Sequence, residues 1–579
     1  MSENGAASAP EMITATIDGV EITVEKGTTI VRAAKQHGIE VPTFCYHPGL
    51  SIPANCRMCL VEVTWGNGRK NPKPLPGCYT ELGPGMVVDT QSDETKDAQK
   101  SVLEFILLNH PVDCPICDQA GECVLQEHYF TYSAQPSRLS HQKVAKPKAV
   151  PLGPRVVLDS ERCIVCTRCI RVCDEVAGRS ELTLEDRGNH SQITTFPGRQ
   201  LENDYSLNTV DACPVGALTD RKFRFRRRVW FLSKKESVCT GCARGCSLRL
   251  DSYQGKTERV VPRYNPDVNN WWMCDDGRDY MRARTIEGIA AARDGDDENP
   301  DVAALVKDVA GLFGEDEEGK QTVAVALSAS LENEAIYAWA KVAAATGNRV
   351  YLLRREGWQG DDILKKGDRD CNATGATAIL DAVAPGWGDD AAFAANAAQA
   401  DALLVVDNDA MPSDAALEAF SEHDAAFVLS DVDNGLTEAA AVVLPIGQLH
   451  TRDGTIVNAD GWIQRVMAPL PAARGVVRPV SVALAAAAAG GVELSFGSTA
   501  GAADVFAAIA QDVPAFANLS YGYLADLGGA LTNGGEPAPK RKRIPGTKEW
   551  EPDDVHPTAK RPFAIQRGTS DLVTPASGQ

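Results

Sequence analysis

No run of apolar residues in this chain is long enough to cross a membrane. The Ala-rich stretch from Val482 to Ala489 falls far short of the roughly 20 residues a spanning helix needs, so any membrane attachment is expected to go through partners. No secretory leader is expected either, because Met1 to Pro10 is small, polar and acidic, with neither a basic nor an apolar segment. The expectation is a reducing cytosol, where paired cysteines read as metal sites rather than disulfides. No GxGxxG follows a run that reads as a strand and no GxxxxGK(S/T) occurs, so the chain offers no recognisable nucleotide site of its own. A basic excess is also lacking: 58 Lys and Arg against 78 Asp and Glu give a formal net charge of −20, which favours solubility and argues against nucleic acid. The one basic exception is Arg221 to Arg228, RKFRFRRR. Its aromatics alternate with charges as in a half-buried strand, and it reads as a solvated or inter-domain connector rather than a docking patch.

What the chain has in abundance is cysteine. Fifteen of its 17 cysteines, with one histidine, fall into four sets of metal-ligand spacing within the first 280 of 579 residues. Length suggests about four domains at roughly 150 residues each, although cluster modules can be smaller, and 44% hydrophobic content suffices for ordinary cores.

Ahead of the first set, Ile13 to Ile17 and Val20 to Val24 alternate apolar and polar residues around Asp18-Gly19, predicting two strands joined by a tight hairpin. A helix capped by Thr28 or Thr29, with Ile30, Val31, Ala33 and Ala34 on its apolar face, should follow and end at Gly38. Then come Cys45, Cys56 and Cys59 in NCRMC, and Cys78 in PGCY. Four thiolates suit a two-iron cluster, with backbone amides of a close-wrapped loop pointing at the sulfurs. The ten-residue first gap is longer than the plant-ferredoxin four and resembles the loop of respiratory and hydrogenase-linked ferredoxin domains. A zinc site is the plainer alternative, but a zinc ribbon does not need the strand-strand-helix lead-in.

The second set reads HxxxCxxCxxxxxC: His110, Cys114, Cys117 and Cys123. A neutral imidazole in place of one thiolate makes a four-iron cluster less negative and changes its potential. His128, in QEHYF, is the alternative ligand, or else an outer-sphere or surface histidine. In the third set Cys163, Cys166 and Cys169 follow a CxxCxxC rhythm. The Cys-Pro pair that usually ends a ferredoxin run appears at Cys213-Pro214, because Asp174 follows Cys173. The site is therefore read as Cys163, Cys166, Cys169 and Cys213, with Cys173 a buried thiol beside it. The fourth set is Cys239, Cys242 and Cys246, then Cys274 after 27 intervening residues. This spacing resembles the N-terminal cluster of molybdopterin oxidoreductases.

Downstream, Thr322 to Leu327, Arg349 to Leu353, Ala402 to Val406 and Ala426 to Leu429 are short apolar runs separated by helical stretches, predicting a parallel sheet with helical cover. Ala441 to Arg465 is close to the molybdopterin-enzyme pattern in which a buried strand ends in Leu-Pro before a GT-x-x-N turn. Only 305 residues follow Cys274, too few to enclose a large dinucleotide cofactor, and Cys371, in what reads as a surface loop, is the sole downstream thiol. No molybdenum cofactor is expected, and the domain reads as a scaffold for packing and partner contacts. The acidic runs Asp294 to Asp301 and Glu315 to Glu318 read as solvated linkers, and the tail from Pro537 to Gln579 as an extended segment lying over a partner.

The order of these sites resembles the large iron–sulfur G subunit of bacterial NADH:quinone oxidoreductase, respiratory complex I, over roughly residues 12 to 470. The expected fold is multidomain α+β and α/β. A β-grasp 2Fe-2S ferredoxin domain (12–92) is followed by a 4Fe-4S domain with one histidine and three cysteine ligands (93–135), a 4Fe-4S ferredoxin-like domain (136–231) and a molybdopterin-oxidoreductase-type 4Fe-4S domain (232–288). A shortened molybdopterin-oxidoreductase-like α/β domain (289–495) and a C-terminal extension and tail (496–579) complete it. The resemblance implies one 2Fe-2S and three 4Fe-4S clusters. It implies that electrons leave NADH through a flavin on a neighbouring subunit, enter at the two-iron site and pass through the clusters of Cys163 and His110 toward membrane-proximal iron–sulfur subunits. The fourth cluster would lie off that route. The implied location is peripheral, on the cytoplasmic face of the inner (plasma) membrane. Two other readings use similar sites: a soluble diaphorase partner of a hydrogenase or formate dehydrogenase, and a full molybdopterin enzyme.

Overall fold

The computed structural model describes residues 11–537, except 285–290, 296, 298–299, 317–318, 408, 410–411, 469, 498, 526 and 534–535. The tail expected from Pro537 onward therefore lies, apart from Pro537 itself, outside the described residues.

The N-terminal sheet starts from the expected hairpin, β1 (Met12–Ile17) and β2 (Val20–Glu25). Both turn residues are left-handed, Asp18 at φ 49° and Gly19 at φ 81°, which matches the twist of a two-residue hairpin. The Asp18 carboxylate accepts hydrogen bonds from Thr90 N (2.7 Å) and Thr90 Oγ1 (2.5 Å), tying the turn to the far end of the module. Strands β3 (Leu60–Thr64), β4 (Leu75–Pro76) and β5 (Val87–Asp89) complete a sheet of order β2-β1-β5-β3-β4, with β1 parallel to β5. Helix α1 (Ile30–Gln36) buries Ile30, Ala33 and Ala34 against Ile17, Ile22, Val61 and Val63, the β-grasp arrangement.

Helix α2 (Asp93–Leu107) begins at Ser92, whose hydroxyl accepts from Thr95 N, with Asp93 and Glu94 in its first turn; acidic residues there favour a helix start. It delivers the chain to His110, and α3 (Val124–Tyr132) follows Cys123 directly. The third module is small: β6 (Val150–Pro151), β7 (Val156–Leu158) and β10 (Leu218–Asp220) form one antiparallel sheet, and β8 (Leu182–Glu185) pairs with β9 (Gln192–Thr195). Its helices are α4 (Arg168–Arg171), which runs into a π-turn over Val172–Val176, and α5 (Asn208–Ala212). The fourth module is an antiparallel sheet, β11 (Ser233–Val238), β12 (Ser247–Tyr253) and β13 (Lys256–Pro262), with α6 (Asp275–Arg284).

Arg221 to Arg228 is not a strand. It is a turn after β10 that ties modules together: Arg228 donates to Cys117 O (2.7 Å) and to Pro115 O and Phe225 N donates to the buried Asp118 carboxylate of the second module, while Arg224 donates to Thr219 Oγ1 (2.7 Å) in the third and Arg227 pairs with Glu258 (3.3 Å) in the fourth. Burial does not alternate along it, since Phe223 is buried and Phe225 is exposed.

The largest unit holds a six-stranded sheet. Strand β14 (Arg293–Asp294) is its antiparallel edge, and β17 (Val323–Ser328), β18 (Arg349–Leu353), β19 (Ala402–Val406), β20 (Ala426–Ser430) and β21 (Val442–Pro445) run parallel in the order β21-β20-β19-β17-β18. Every residue of β17 and β19 is buried, as a sheet with helices on both faces requires. The acidic runs are partly structural: Asp294 sits in the edge strand, the Asp301 carboxylate caps α7 (Val302–Gly311), and Glu315–Asp316 (β15) pairs with Gly319–Lys320 (β16). The boundary expected at 495 runs through a shared core, since Phe496, Val505, Phe506 and Ile509 pack with residues of the parallel sheet.

Within this unit α8 (Asn333–Thr346) carries a fully buried carboxyl group, Glu334, which accepts from Thr455 N (2.8 Å) and Thr455 Oγ1 (3.0 Å). Burial raises its pKa from the usual carboxylate value to about 8. Its stabilising contribution is complete below the unfolded carboxylate pKa and is lost as pH rises toward 8, because the unfolded chain releases a proton that the folded chain retains. From this group alone stability should fall by about 1.4 kcal/mol per pH unit across that window. Denaturant unfolding of Glu334→Gln at pH 5 and pH 8 is expected to show the variant gaining on the native chain as pH rises; an unchanged difference would contradict the buried neutral carboxyl.

Candidate metal centres

In the first set, Cys45, Cys59 and Cys78 are buried and Cys56 is half-buried. The loop between α1 and β3 that carries the first three turns sharply enough to put two non-glycine residues in the left-handed region, Ala54 (φ 50°) and Arg57 (φ 62°). Such conformations cost energy and persist where the surroundings impose them. Here they bring Cys45 N to 3.4 Å from Cys56 Sγ. Gly77 N donates to Cys59 O (2.8 Å), which lays the Cys78 turn against the CxxC loop. The four thiols act on one another: Cys56 and Cys78 hold the Cys45 thiol far below its ordinary range and Cys78 lowers Cys59, while Cys56 and Cys78 are themselves raised.

In the second set, His110 Nδ1 is buried and has no hydrogen-bond partner, and burial lowers its pKa to about 4, so the ring is neutral at physiological pH. A neutral imidazole with an unused nitrogen is a metal donor in waiting. Cys117 is buried, Cys114 and Cys123 half-buried, and burial pushes the Cys123 thiol up to about 12. The alternative ligand, His128, is packed edge-on against Phe44 and Tyr132 at 5.0 and 5.4 Å, with Nε2 3.4 Å from Thr43 O. Its surroundings are those of a core histidine joining the first two modules.

The third set surrounds a small cavity lined by Cys163, Cys166, Cys169 and Cys213 together with Leu158, Ile193 and Leu218. Val165 (φ 55°) and Thr167 (φ 61°) are left-handed, and Val165 N donates to Cys163 Sγ at 3.3 Å. Burial pushes Cys163 up to about 12 and Cys166 to about 11. Cys173 sits in the π-turn, fully buried, and does not line the cavity. Cys213 joins the other three from 44 residues beyond Cys169 because α5 ends at it and Pro214 follows.

The fourth set lines a small cavity with Cys239, Cys242, Cys246 and Cys274. Cys239 N donates to Cys246 O (2.8 Å), closing the turn between β11 and β12, and Gly277 N donates to Cys274 Sγ (3.3 Å) from the first turn of α6. A Cβ at Gly277 would stand 3.2 Å from Cys274 Sγ and 3.3 Å from Cys239 Sγ, so glycine lets the helix approach the sulfurs. The large α/β unit supplies Trp358, Leu364 and Lys365 to the same wall, and Lys365 pairs with Asp276 at 2.5 Å. Cys371 is not on a surface loop: it is fully buried, its thiol near Ser330 O (3.7 Å) and pushed up to about 12. A polar, Asp-rich sequence misled there, because Asp370 is itself buried in an ion pair with Arg355.

Among the described residues no group of three or more His, Cys, Asp or Glu converges closely enough to hold a single metal ion. Thiols ranged around a cavity, with amide N–H groups aimed at sulfur, suit a cluster whose own bulk fills the centre. The structure also shows contacts between sets that spacing alone did not reveal. Arg162, beside Cys163, grips Asp113, beside Cys114, through two hydrogen bonds of 3.0 and 2.6 Å. A Cβ on Gly216, three residues after Cys213, would fall 2.2 Å from Cys117 Sγ, so the second and third sets are in direct contact. Arg168 and Arg171 reach from the third set into the Cys45 loop. Adjacency to ligand cysteines was the only signal for these residues.

Four family models match this chain. A 2Fe-2S iron-sulfur cluster binding domain covers residues 10–93, the NADH-ubiquinone oxidoreductase-G iron-sulfur binding region 99–138, the ferredoxin-like domain of NADH-quinone oxidoreductase subunit 3 residues 153–219, and the molybdopterin oxidoreductase Fe4S4 domain 232–283. The G subunit of the NADH-quinone oxidoreductase of Streptomyces coelicolor is 44% identical over 281 residues, 48% of this chain and 33% of that protein. The corresponding G subunit of Rickettsia bellii is 42% identical over 277 residues, 47% of this chain and 40% of that protein. The mitochondrial NADH-ubiquinone oxidoreductase 78 kDa subunit of Neurospora crassa is 41% identical over 278 residues, 48% of this chain and 36% of that protein. Among solved structures, an NAD+-reducing [NiFe]-hydrogenase in the H2-reduced state aligns at 27% identity with a TM-score of 0.33, covering 38% of this chain and 91% of that one. The alignments span about a third to two-fifths of the length of the curated relatives. Across the part that aligns, with its 2Fe-2S and 4Fe-4S domains, the chain is a homologue of the G subunit of NADH-quinone oxidoreductase.

Proposed function

We propose that this chain is the iron–sulfur electron-transfer G subunit of an NADH:quinone oxidoreductase, relaying electrons from an NADH- and flavin-binding module toward quinone. The observation that carries the reading is the direct packing of the first three ligand sets on one another, through Gly216 against Cys117 and through arginines that span from set to set. Tunnelling needs short separations between centres, and interlocked ligand loops supply them.

In this reading Cys45, Cys56, Cys59 and Cys78 hold one 2Fe-2S cluster. Three 4Fe-4S clusters are held by His110, Cys114, Cys117 and Cys123, by Cys163, Cys166, Cys169 and Cys213, and by Cys239, Cys242, Cys246 and Cys274. When bound, such clusters accept and release single electrons. The protein's part is electrostatic and steric. Thiols pushed up by burial, as at Cys163 and Cys166, give up their protons only to a metal that replaces the positive charge. Amides of Val165 and Gly277 stabilise charge on the ligand sulfurs, and apolar neighbours such as Leu158, Ile193 and Leu218 exclude water. His110 contributes a neutral ligand, which leaves its site less negative than an all-cysteine one.

The partners in this reading are the flavin- and NADH-binding subunit on one side and membrane-proximal iron–sulfur subunits on the other, with no nucleic acid. Among the described residues no helix is long and apolar enough to cross a membrane, so the placement proposed is peripheral, on the cytoplasmic face of the inner (plasma) membrane. The large α/β unit is proposed to hold no molybdenum cofactor and to serve packing.

Anaerobic purification with elemental analysis and low-temperature EPR of the dithionite-reduced protein tests the assignment. About fourteen irons per chain are expected, one two-iron and three four-iron clusters, without molybdenum; one molybdenum per chain would make it a catalytic molybdopterin enzyme, and mostly zinc would exclude electron transfer. His110→Ala should remove one EPR signal and leave the other three. Gly216→Ala, whose new methyl must displace Cys117 Sγ, should weaken that same signal selectively, and equal loss from all sites would refute the local contact.

A further inference from the structure

Two guanidinium groups are buried between the first and third ligand sets without a carboxylate. Arg168 is 3% and Arg171 9% exposed, and the Nε atom of each is buried with no hydrogen-bond partner. Arg168 donates to Tyr46 O and to Ala212 O (3.1 Å). Arg171 donates to Cys45 O (2.7 Å), Ser51 O (2.5 Å) and Cys166 O (3.4 Å). Every one of these acceptors is a backbone carbonyl, and two of them belong to ligand cysteines. Glu175 acts on Arg171 only at longer range, its carboxylate being engaged by Ser51 N (2.8 Å) and the Ser51 hydroxyl.

Other buried arginines in this half of the chain are matched differently. Arg162 pairs with Asp113, Arg278 with Asp211, and Arg282 with Asp220. A buried cation with carbonyl partners alone leaves a desolvation cost of several kcal/mol for other charges to offset. The negative groups that act on them are mainly sulfurs of the two sets: Cys166, Cys213 and Cys45 on Arg168, and Cys166, then Glu175 at longer range, then Cys45 and Cys169 on Arg171. Each arginine therefore interacts with thiols of both sets at once.

We propose that Arg168 and Arg171 are positioning residues that act as a shared counter-charge for the first and third sites, raising the reduction potentials of both together and clamping the Cys45 loop to the Cys166 loop. The proposal rests on the reading that both sets hold clusters. A site that takes up an electron gains a negative charge, and a fixed cation in a water-excluded setting stabilises the reduced form more than the oxidised one. Because the same pair serves two sites, the driving force between them stays nearly constant while both levels move.

EPR-monitored redox titration of the purified, iron-loaded chain tests this with Arg168→Gln and Arg171→Gln. Native protein must first show separate signals from a two-iron and a four-iron site; if it does not, the cluster reading fails rather than the counter-charge. With those signals present, each substitution should shift both potentials downward, the double variant more than either single, while the signal removed by His110→Ala stays at its native potential. Variants with native iron content and unmoved potentials would overturn the proposal, as would a shift confined to one of the two sites. Should the glutamine variants fail to load iron, Arg168→Lys and Arg171→Lys decide: retained charge should restore iron loading and near-native potentials, and lysine variants as deficient as the glutamine ones would assign the arginines to hydrogen bonding alone.

Discussion

Thiols as deeply buried as Cys169, Cys239 and Cys246 are held strongly in their protonated form by desolvation, and the first half of the molecule is organised around making thiolates possible in such places. Carboxylates and water, the usual partners of buried charge, are largely kept away from these sulfurs. What faces them instead is backbone amide, left-handed loop residues and arginine. The left-handed residues Ala54, Arg57, Val165 and Thr167 all lie within ligand loops. Their strain is the local consequence of bending a short loop far enough that consecutive N–H groups point inward.

The same constraint explains why the modules do not stand apart. Each is too small to bury its ligand loop by itself, so it borrows a wall from the next. Phe44 and Met58, from the first loop, lie in one core with Leu103 and Leu125 of the second module and Leu158 and Leu218 of the third. The fourth set borrows its wall from the α/β unit through Trp358, Leu364 and Lys365. Tyr205 joins these parts again: its hydroxyl donates to Asp361 (2.7 Å) and accepts from Leu364 N (3.1 Å). The α/β unit therefore completes the enclosure of the fourth site whether or not it binds anything itself.

The ends of its parallel strands are crowded with ionic side chains. Arg284 of α6 reaches Asp431 (2.7 Å), Arg355 holds Asp370, and Arg452 pairs with Glu332 (3.1 Å). The chain order of the strands reverses between β17 and β19, the place where open α/β sheets commonly bind ligands. There Tyr280 and Arg284 of α6 and Arg355 after β18 all meet Asp409, just beyond β19.

Sequence determined the local elements because their causes are local. The Asp18-Gly19 hairpin, the α1 face, the buried runs at Val323–Ser328 and Ala402–Val406 and the Leu-Pro strand end all follow from periodicity and turn chemistry within a few residues. Cysteine spacing is local in the same sense, which is why the sequence alone suggests four sets. What spacing could not decide was anything resting on chain segments far apart. Cys371 looked exposed because its neighbours are polar, yet Arg355, in the segment after β18, pairs with Asp370, and the thiol beside it is fully buried. RKFRFRRR alternates aromatics with charges as a half-buried strand would, but alternation is blind to whether a ladder partner exists, and the connecting segment is a turn whose Arg228 caps carbonyls of the Cys117 loop. The contacts of Gly216 with Cys117 and of Arg171 with the Cys45 loop bridge about 100 and 126 positions of sequence. Only packing could set them, since burial and charge compensation depend on what the rest of the chain brings to the same place.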